Sequence, residues 1–425
     1  MEIFLFFCMF LEIIVLIFIA KSESRGNQIL LWTLSGFWFI SFILRPLIFI
    51  YSRNHSIGTS LFDFRLGQNP QNFEAIMISI IVGCLCFCVP LLVHLSRKVK
   101  RERIPLTQHS QIIYRQLITY CFICGYLSFL IEESSYRNPF SKSLTILISL
   151  GFLVYIWKRE ELKLTKTREY FFILSGCSGT LLLFASANNS KGIILTPALI
   201  YIMTLRTWNS SQKKFRNIFL GTLIFIFSIP LFSTLQSYKL GSLQLGSATS
   251  TNISFPWYLA PFRVIADRFD EFPRVVDAQF ATPGSLGSFG SWGEYLIRNF
   301  EWNPTDGRTQ LSFGQQWNVL VTNQTIPGAQ LSHVSLAQGM IGEGIIWSGV
   351  RSLILECFIF AFIFMWIGNL LDRGPIANLF AFGLIGNSTI FESGLVQFVA
   401  TFSGALKALL FLLVTKQFFF TRKVP

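Results

Sequence analysis

MEIFLFFCMFLEIIVLIFIA, residues 1–20, is apolar at every position except Glu2 and Glu12. Coiled as a helix, twenty residues reach about 30 Å, the thickness of a bilayer's hydrocarbon core. The stretch has no basic n-region before its apolar run and no small-residue cleavage site after it. It therefore reads as a retained membrane span rather than a cleaved signal. Nothing in the sequence accounts for Glu12.

The rest of the chain repeats this pattern. Of 425 residues, 52% are hydrophobic, 46 are Phe and only 13% are charged, about half the charged share of a soluble domain. The fold class is all-α: a polytopic membrane protein. Apolar segments predict spans at about 3–20, 28–50, 73–95, 111–131, 143–157, 170–187, 191–205, 217–235, 345–369, 376–391 and 395–418. That is about eleven spans, with ten to twelve as the range. The cysteines (Cys8, Cys84, Cys86, Cys88, Cys121, Cys124, Cys177 and Cys357) all fall in apolar segments, where they read as small buried residues and not as a disulfide framework or zinc site.

A net charge of +13 in a soluble protein would suggest nucleic acid as a partner. Here the basic residues collect in SRKVKRER (96–103), KREELKLTKTR (158–168), RTWNSSQKKFR (206–216) and TRK (421–423), each flanking a span. This is the distribution of cytoplasmic flanks, and no nucleic-acid partner is implied. The alternation places the N-terminus outside and the C-terminus inside. It divides the chain into an N-terminal transmembrane bundle (1–235), one large external loop (236–343) and C-terminal transmembrane helices (344–425).

The loop is rich in Gly, Ser and Trp, and its Trp257, Trp292, Trp302 and Trp317 argue for a folded segment. PFRVIADRFDEF (261–272) has the spacing of a short amphipathic helix, with Phe262, Ile265, Phe269 and Phe272 on one face, a pattern that suits the membrane surface. Arg263, Arg268, Arg274, Arg298 and Arg308 are its arginines, against a single lysine, Lys239. A guanidinium grips phosphate or carboxylate oxygens in bidentate fashion, as an ammonium cannot. The alternative for any one of them is an ion pair with a loop acid such as Asp267, Asp270 or Glu301.

Ionisable residues inside spans are functional candidates by default. Arg45, before Pro46, falls near the external end of the second span, and Arg351 falls slightly below the external end of the ninth. Both could join the loop arginines at the outer lipid level or snorkel to the interface. Glu356 and Lys407 fall at similar depth and suggest an ion pair. In QLSHVSLAQGMIGEGIIWSGV (330–350), His333 and Glu343 stand where the loop re-enters the membrane. These are the candidate catalytic residues, since an acceptor hydroxyl needs a general base. The alternative is a solvated His333 and a Glu343 that caps a helix start. The external loops carry no DxD-like pair or His-x-x-His spacing, so neither a metal nor another cofactor is expected.

Several of these features resemble the Wzy-type oligosaccharide repeat-unit polymerases, relatives of the O-antigen ligases. The likeness lies in the many-span N-terminal half, APFRVIADRFDEF, DGRTQLSFGQQWNVLVTNQTIPG and HVSLAQGMIGEGIIWSGV. The arginine that often ends an Ile-Pro-Arg segment in that family is absent, Ile326-Pro327-Gly328 standing in its place. The resemblance implies a fold related to the GT-C glycosyltransferases. It implies metal-independent, inverting transfer of a growing glycan from undecaprenyl diphosphate to another lipid-linked repeat unit, at the outer face of the bacterial inner membrane. It also implies functional loop arginines, carried over to Arg263, Arg268, Arg274 and Arg308, and membrane lipids and a chain-length regulator as partners. An O-antigen ligase and a lipid-linked oligosaccharide flippase are the rival readings. A flippase should scatter charge through many spans and needs no large external loop.

Topology is directly checkable. Reporters fused near residues 100, 162 and 212 should report cytoplasm, and one near 285 the external side. A cytoplasmic signal at 285 would invert the whole placement.

Overall fold

The structure is a computed structural model that describes residues 2–47, 50, 72–96, 107–133, 139–186, 272, 275–276, 278, 297, 339–385, 389–392 and 394–420. All regular structure among these residues is helical. In chain order the helices are α1 (Glu2–Ser22), α2 (Arg25–Trp38) running into a π-helical stretch (Phe39–Leu44), α3 (Asn72–Ser96), α4 (Gln108–Glu133), α5 (Pro139–Lys158) and α6 (Lys166–Ser186). They continue with α7 (Gly339–Ser348), α8 (Val350–Leu371), α9 (Pro375–Ile385), α10 (Thr389–Glu392) and α11 (Leu395–Phe420).

Among the described residues, six helical segments are long and apolar enough to cross a membrane: Glu2–Lys21, Arg25–Leu47, Phe73–His94, Gln108–Ile131, Val350–Leu371 and Leu395–Thr415. The protein is a multi-pass helical membrane protein. Helices α5 and α6 coincide with the expected spans at 143–157 and 170–187, and the spans at 191–205 and 217–235 lie outside the described residues. Two expectations need correction. The stretch 345–369 is not one span but two helices broken at Gly349. The stretch 376–391 is the eleven-residue α9 followed by the short α10, so α9 climbs only about 16 Å, half a bilayer.

Between helices in lipid there is no hydrophobic driving force, so close packing and polar contacts hold the bundle. Its core is aromatic and aliphatic: Trp38 of α2, Phe87 of α3 and Phe364 of α8 stack edge to face at 5.4 Å each. Where α2 crosses α8, Gly26 and Gly368 let the backbones meet. A Cβ on Gly26 would strike the Gly368 carbonyl, and one on Gly368 would strike the Asn27 side chain.

One end of the bundle is polar. Arg25 of α2 pairs with Glu161 at 3.0 Å and stacks on Trp157, 4.3 Å from its ring. Lys158 reaches the same Glu161 at 3.0 Å, and Arg115 donates to the Leu162 carbonyl at 2.5 Å. Beside them the α8–α9 turn is pinned. Asp372 accepts from the Gly26 N–H at 3.1 Å, and Trp157 donates to the Leu371 carbonyl at 3.2 Å. Buried Asn378 donates to the Leu370 and Leu371 carbonyls at 3.0 and 2.8 Å and accepts from the Tyr114 hydroxyl at 2.6 Å. The flank at 158–168 lies here, so this is the basic end that the alternation of spans requires.

At the opposite end, Phe73 opens α3 and meets Phe6 at 6.4 Å and Phe272 at 6.0 Å. Phe272, Val275 and Val276 are buried in the main core. The end of the PFRVIADRFDEF segment is thus docked into the bundle instead of lying on the membrane surface, because Phe73 offers it an aromatic seat. Phe262, Ile265 and Phe269 lie outside the described residues.

Replacing Gly368 by Leu should therefore separate α2 from α8 and abolish a cooperative melt of the purified protein in lipid. Asn378→Leu removes the side-chain hydrogen bonds to the Leu370 and Leu371 carbonyls and from the Tyr114 hydroxyl, and should cost about 0.5–1.5 kcal/mol per hydrogen bond lost, read as a lowered Tm.

Candidate functional site

The segment that enters from the loop folds as a hairpin. Gly349 has φ 63° and ψ −139°, a conformation open to glycine and strained for other residues. There the chain reverses, and α7 packs back along the outer half of α8. Gly344 lies so near Leu353 that an added Cβ would come within 2.7 Å of the Leu353 Cα. The Ser352 hydroxyl spans the two arms, donating to the Gly344 carbonyl at 2.5 Å. With ten residues, α7 is about 15 Å long. Its first residue, buried Gly339, therefore lies deep in the bundle and not at its rim.

Glu343 and Glu356 sit across from each other on the two arms, 1% and 3% exposed. Both point at the head of α11. Leu395 N–H donates to Glu356 Oε1 at 3.0 Å, and Val396 N–H donates to Glu343 Oε1 at 2.9 Å. The residue before this helix is Gly394, which has no side chain to cap with, and its bareness is what admits Glu343: a Cβ there would overlap the carboxylate. The first amides of a helix have no partner within it, and here two glutamates from another hairpin supply the acceptors. Carboxylates also suit the positive end of the helix dipole.

This arrangement corrects the expected Glu356–Lys407 pair. Glu356 is engaged at the start of α11, while Lys407 lies twelve residues further along, about 18 Å of helix. Glu343 is a helix cap, as its alternative reading has it, but in mid-helix and toward a helix other than its own. Sequence reasoning missed Glu356 in this role. The available signal was its spacing from Glu343, symmetrical about Gly349, which is informative only once the chain is known to reverse there.

Arg45 is buried, 4% exposed, just past the π-helical stretch at the outer end of the second span. Arg351 is exposed in the first turn of α8. It lies higher than expected, because the span begins at Val350 and not at 345. His333, Arg263, Arg268, Arg274, Arg298 and Arg308 lie outside the described residues. Among the described residues no three His, Cys, Asp or Glu side chains are grouped so as to hold a metal ion.

Fold and site together define a multi-pass helical membrane protein with a helical hairpin latched to α11 by two buried carboxylates. No family model, no curated protein and no solved structure matches the chain.

Variants separate the latch from mere burial. Glu356→Gln keeps an acceptor for Leu395 and should change Tm little. Glu356→Leu leaves that amide without its acceptor and should cost about 1–3 kcal/mol. Equal melting of the Gln and Leu variants would remove the latch from the account.

Proposed function

We propose that the chain is an oligosaccharide repeat-unit polymerase of the bacterial inner membrane. It transfers a growing glycan from undecaprenyl diphosphate to the terminal sugar of a second lipid-linked repeat unit. The large loop stands in the periplasm, and the reaction needs neither metal nor other cofactor. The observation that carries the reading is the α7–α8 hairpin. The chain arriving from the arginine-rich loop passes His333 and, six residues later, starts a helix inside the bundle. Irregular backbone at membrane depth is tolerated where protein buries it or where it lines a cavity, which suits a lipid-linked substrate handed between loop and helices.

In this reading Arg263, Arg268, Arg274, Arg298 and Arg308, with Arg45 and exposed Arg351 at the outer level, neutralise the departing diphosphate. His333 takes the proton of the acceptor hydroxyl, since an unperturbed imidazole titrates near ~6.5 and is matched to neutral pH. Glu343, accepting from the Val396 amide, holds the hairpin in place. The GT-C relationship, the glycan and the chain-length regulator belong to the same proposal. Buried Glu12 and Arg45 are what favour the flippase instead, and the assay below separates the two.

The experiment uses purified full-length protein in lipid, supplied with a lipid-linked repeat unit and excess EDTA. Polymer should form, where a flippase yields none. His333→Ala should insert normally and lose ~10²–10⁴-fold in rate, the usual share of a general base. Glu343→Gln should lose activity only in part, because its amide oxygen still accepts from Val396. Arg268→Lys and Arg308→Lys should each lose most polymer, since charge without the guanidinium fork does not restore binding. A full ladder from His333→Ala with none from Glu343→Gln would move the base to the carboxylate.

A further inference from the structure

The glutamate that nothing in the sequence explained is also unused by the proposed reaction. Glu12 stands midway along α1, ten residues from either end, or about 15 Å. It is 5% exposed, and its Oε2 is buried without a hydrogen-bond partner.

Against α1 pack α2, the π-helical stretch and α3. The charged side chains described on these elements stand toward helix ends. Arg25 is engaged by Glu161, Glu23 by Asn27, Arg45 follows the π-helical stretch, and Glu74 and His94 occupy the first and last turns of α3. Among the described residues, the thiols of Cys86 and Cys88 are within electrostatic reach of Glu12. A thiol is a weak donor and a poor counter-charge for a carboxylate.

The same face of α3 holds a second anomaly. Pro90 lies inside the helix, four residues after Cys86, and a proline has no N–H to give the carbonyl one turn earlier. The Cys86 carbonyl is therefore an acceptor deprived of its usual donor, on a residue whose thiol is within electrostatic reach of Glu12. An ionised carboxylate only accepts and would leave both groups wanting. A protonated one has an O–H to donate, and neutrality removes the cost of a bare charge in the bundle.

From this match we infer that Glu12 is a proton-binding site inside the bundle, held as the neutral acid with its O–H donated to the Cys86 carbonyl that Pro90 leaves open. The inference does not depend on glycosyl transfer. It gives the α1–α3 contact a hydrogen bond that exists in one protonation state and is lost in the other.

Infrared difference spectroscopy tests it, on full-length protein in bilayers at neutral pH, wild type against Glu12→Gln. The glutamine keeps an N–H for the carbonyl, so the variant is expected to fold. The expected result is loss of one protonated-carboxyl C=O band. Loss of carboxylate stretching bands instead would overturn the inference. Pro90→Ala returns a backbone donor to Cys86 and should shift the same C=O band; a band that does not move removes Cys86 as the partner. Should Glu12→Gln fail to reach the membrane, wild type alone decides, through N,N′-dicyclohexylcarbodiimide, an apolar reagent that consumes protonated acids. The acid proton passes to a carbodiimide nitrogen and the carboxyl oxygen bonds to the central carbon. An acyl shift from oxygen to nitrogen then leaves a stable N-acylurea with no atom lost. The peptide carrying Glu12 should gain the full reagent mass at neutral pH, with less labelling as the pH is raised. A peptide that labels only after the protein is unfolded in detergent at acidic pH would sink the proposal.

Discussion

A helix that begins inside an apolar bundle presents backbone N–H groups that neither its own turns nor water can satisfy, and much of this structure answers that demand. The head of α11 is met by Glu356 and Glu343; at the polar end of the bundle the head of α2 is met in the same way by Asp372, whose two oxygens lie 3.1 and 3.2 Å from the Gly26 nitrogen. In each case the acceptor is a carboxylate from elsewhere in the chain, 346 residues away for Gly26. In water such caps contribute little, because solvent replaces them. Inside the bundle an unmet donor has no substitute, so the caps fix where helices start and how they lie.

Helix α8 is the common member. It carries Glu356 near its outer end and leads into Asp372 at its basic end, so one span anchors the heads of both α11 and α2. It also packs closely along its length: Gly368 receives α2, Phe364 meets Phe87, and Leu353 lies against Gly344. Polar anchoring at both ends with close packing between holds a helix in depth and rotation together. This explains how α9, about half a bilayer long, can stop inside the bundle: Asn378 and the Tyr114 hydroxyl secure its lower end, and α11 begins under the two glutamates above it.

The proposed chemistry draws on the same economy of position. If loop arginines hold a diphosphate, the loop must be held relative to the lipid, and two docked pieces of chain serve that end. Phe272, Val275 and Val276 are buried in the core near Phe73, and Gly339 begins α7 at depth, locked through Glu343. Arg298, Arg308 and His333 lie between those two anchors in sequence, on the kind of connecting segment that often carries function.

The sequence by itself determined that this is a helical, multi-pass membrane protein and where the long apolar helices of the described residues lie. Hydropathy and the placement of Lys and Arg are local properties that follow directly from the solvation of each segment. The same reading picked out Glu343 and left Glu356 in a pair with Lys407, and it ran α7 and α8 together as one span. Apolar periodicity continues across Gly349, and a reversal at a single positive φ leaves no trace in composition. That two glutamates thirteen positions apart face one another, that a bare Gly394 makes room for one of them, and that Glu12 is buried in the bundle were decided by the tertiary structure. Each depends on which helix supplies the missing partner, and hydrogen-bond satisfaction in a bundle is settled between helices rather than within them.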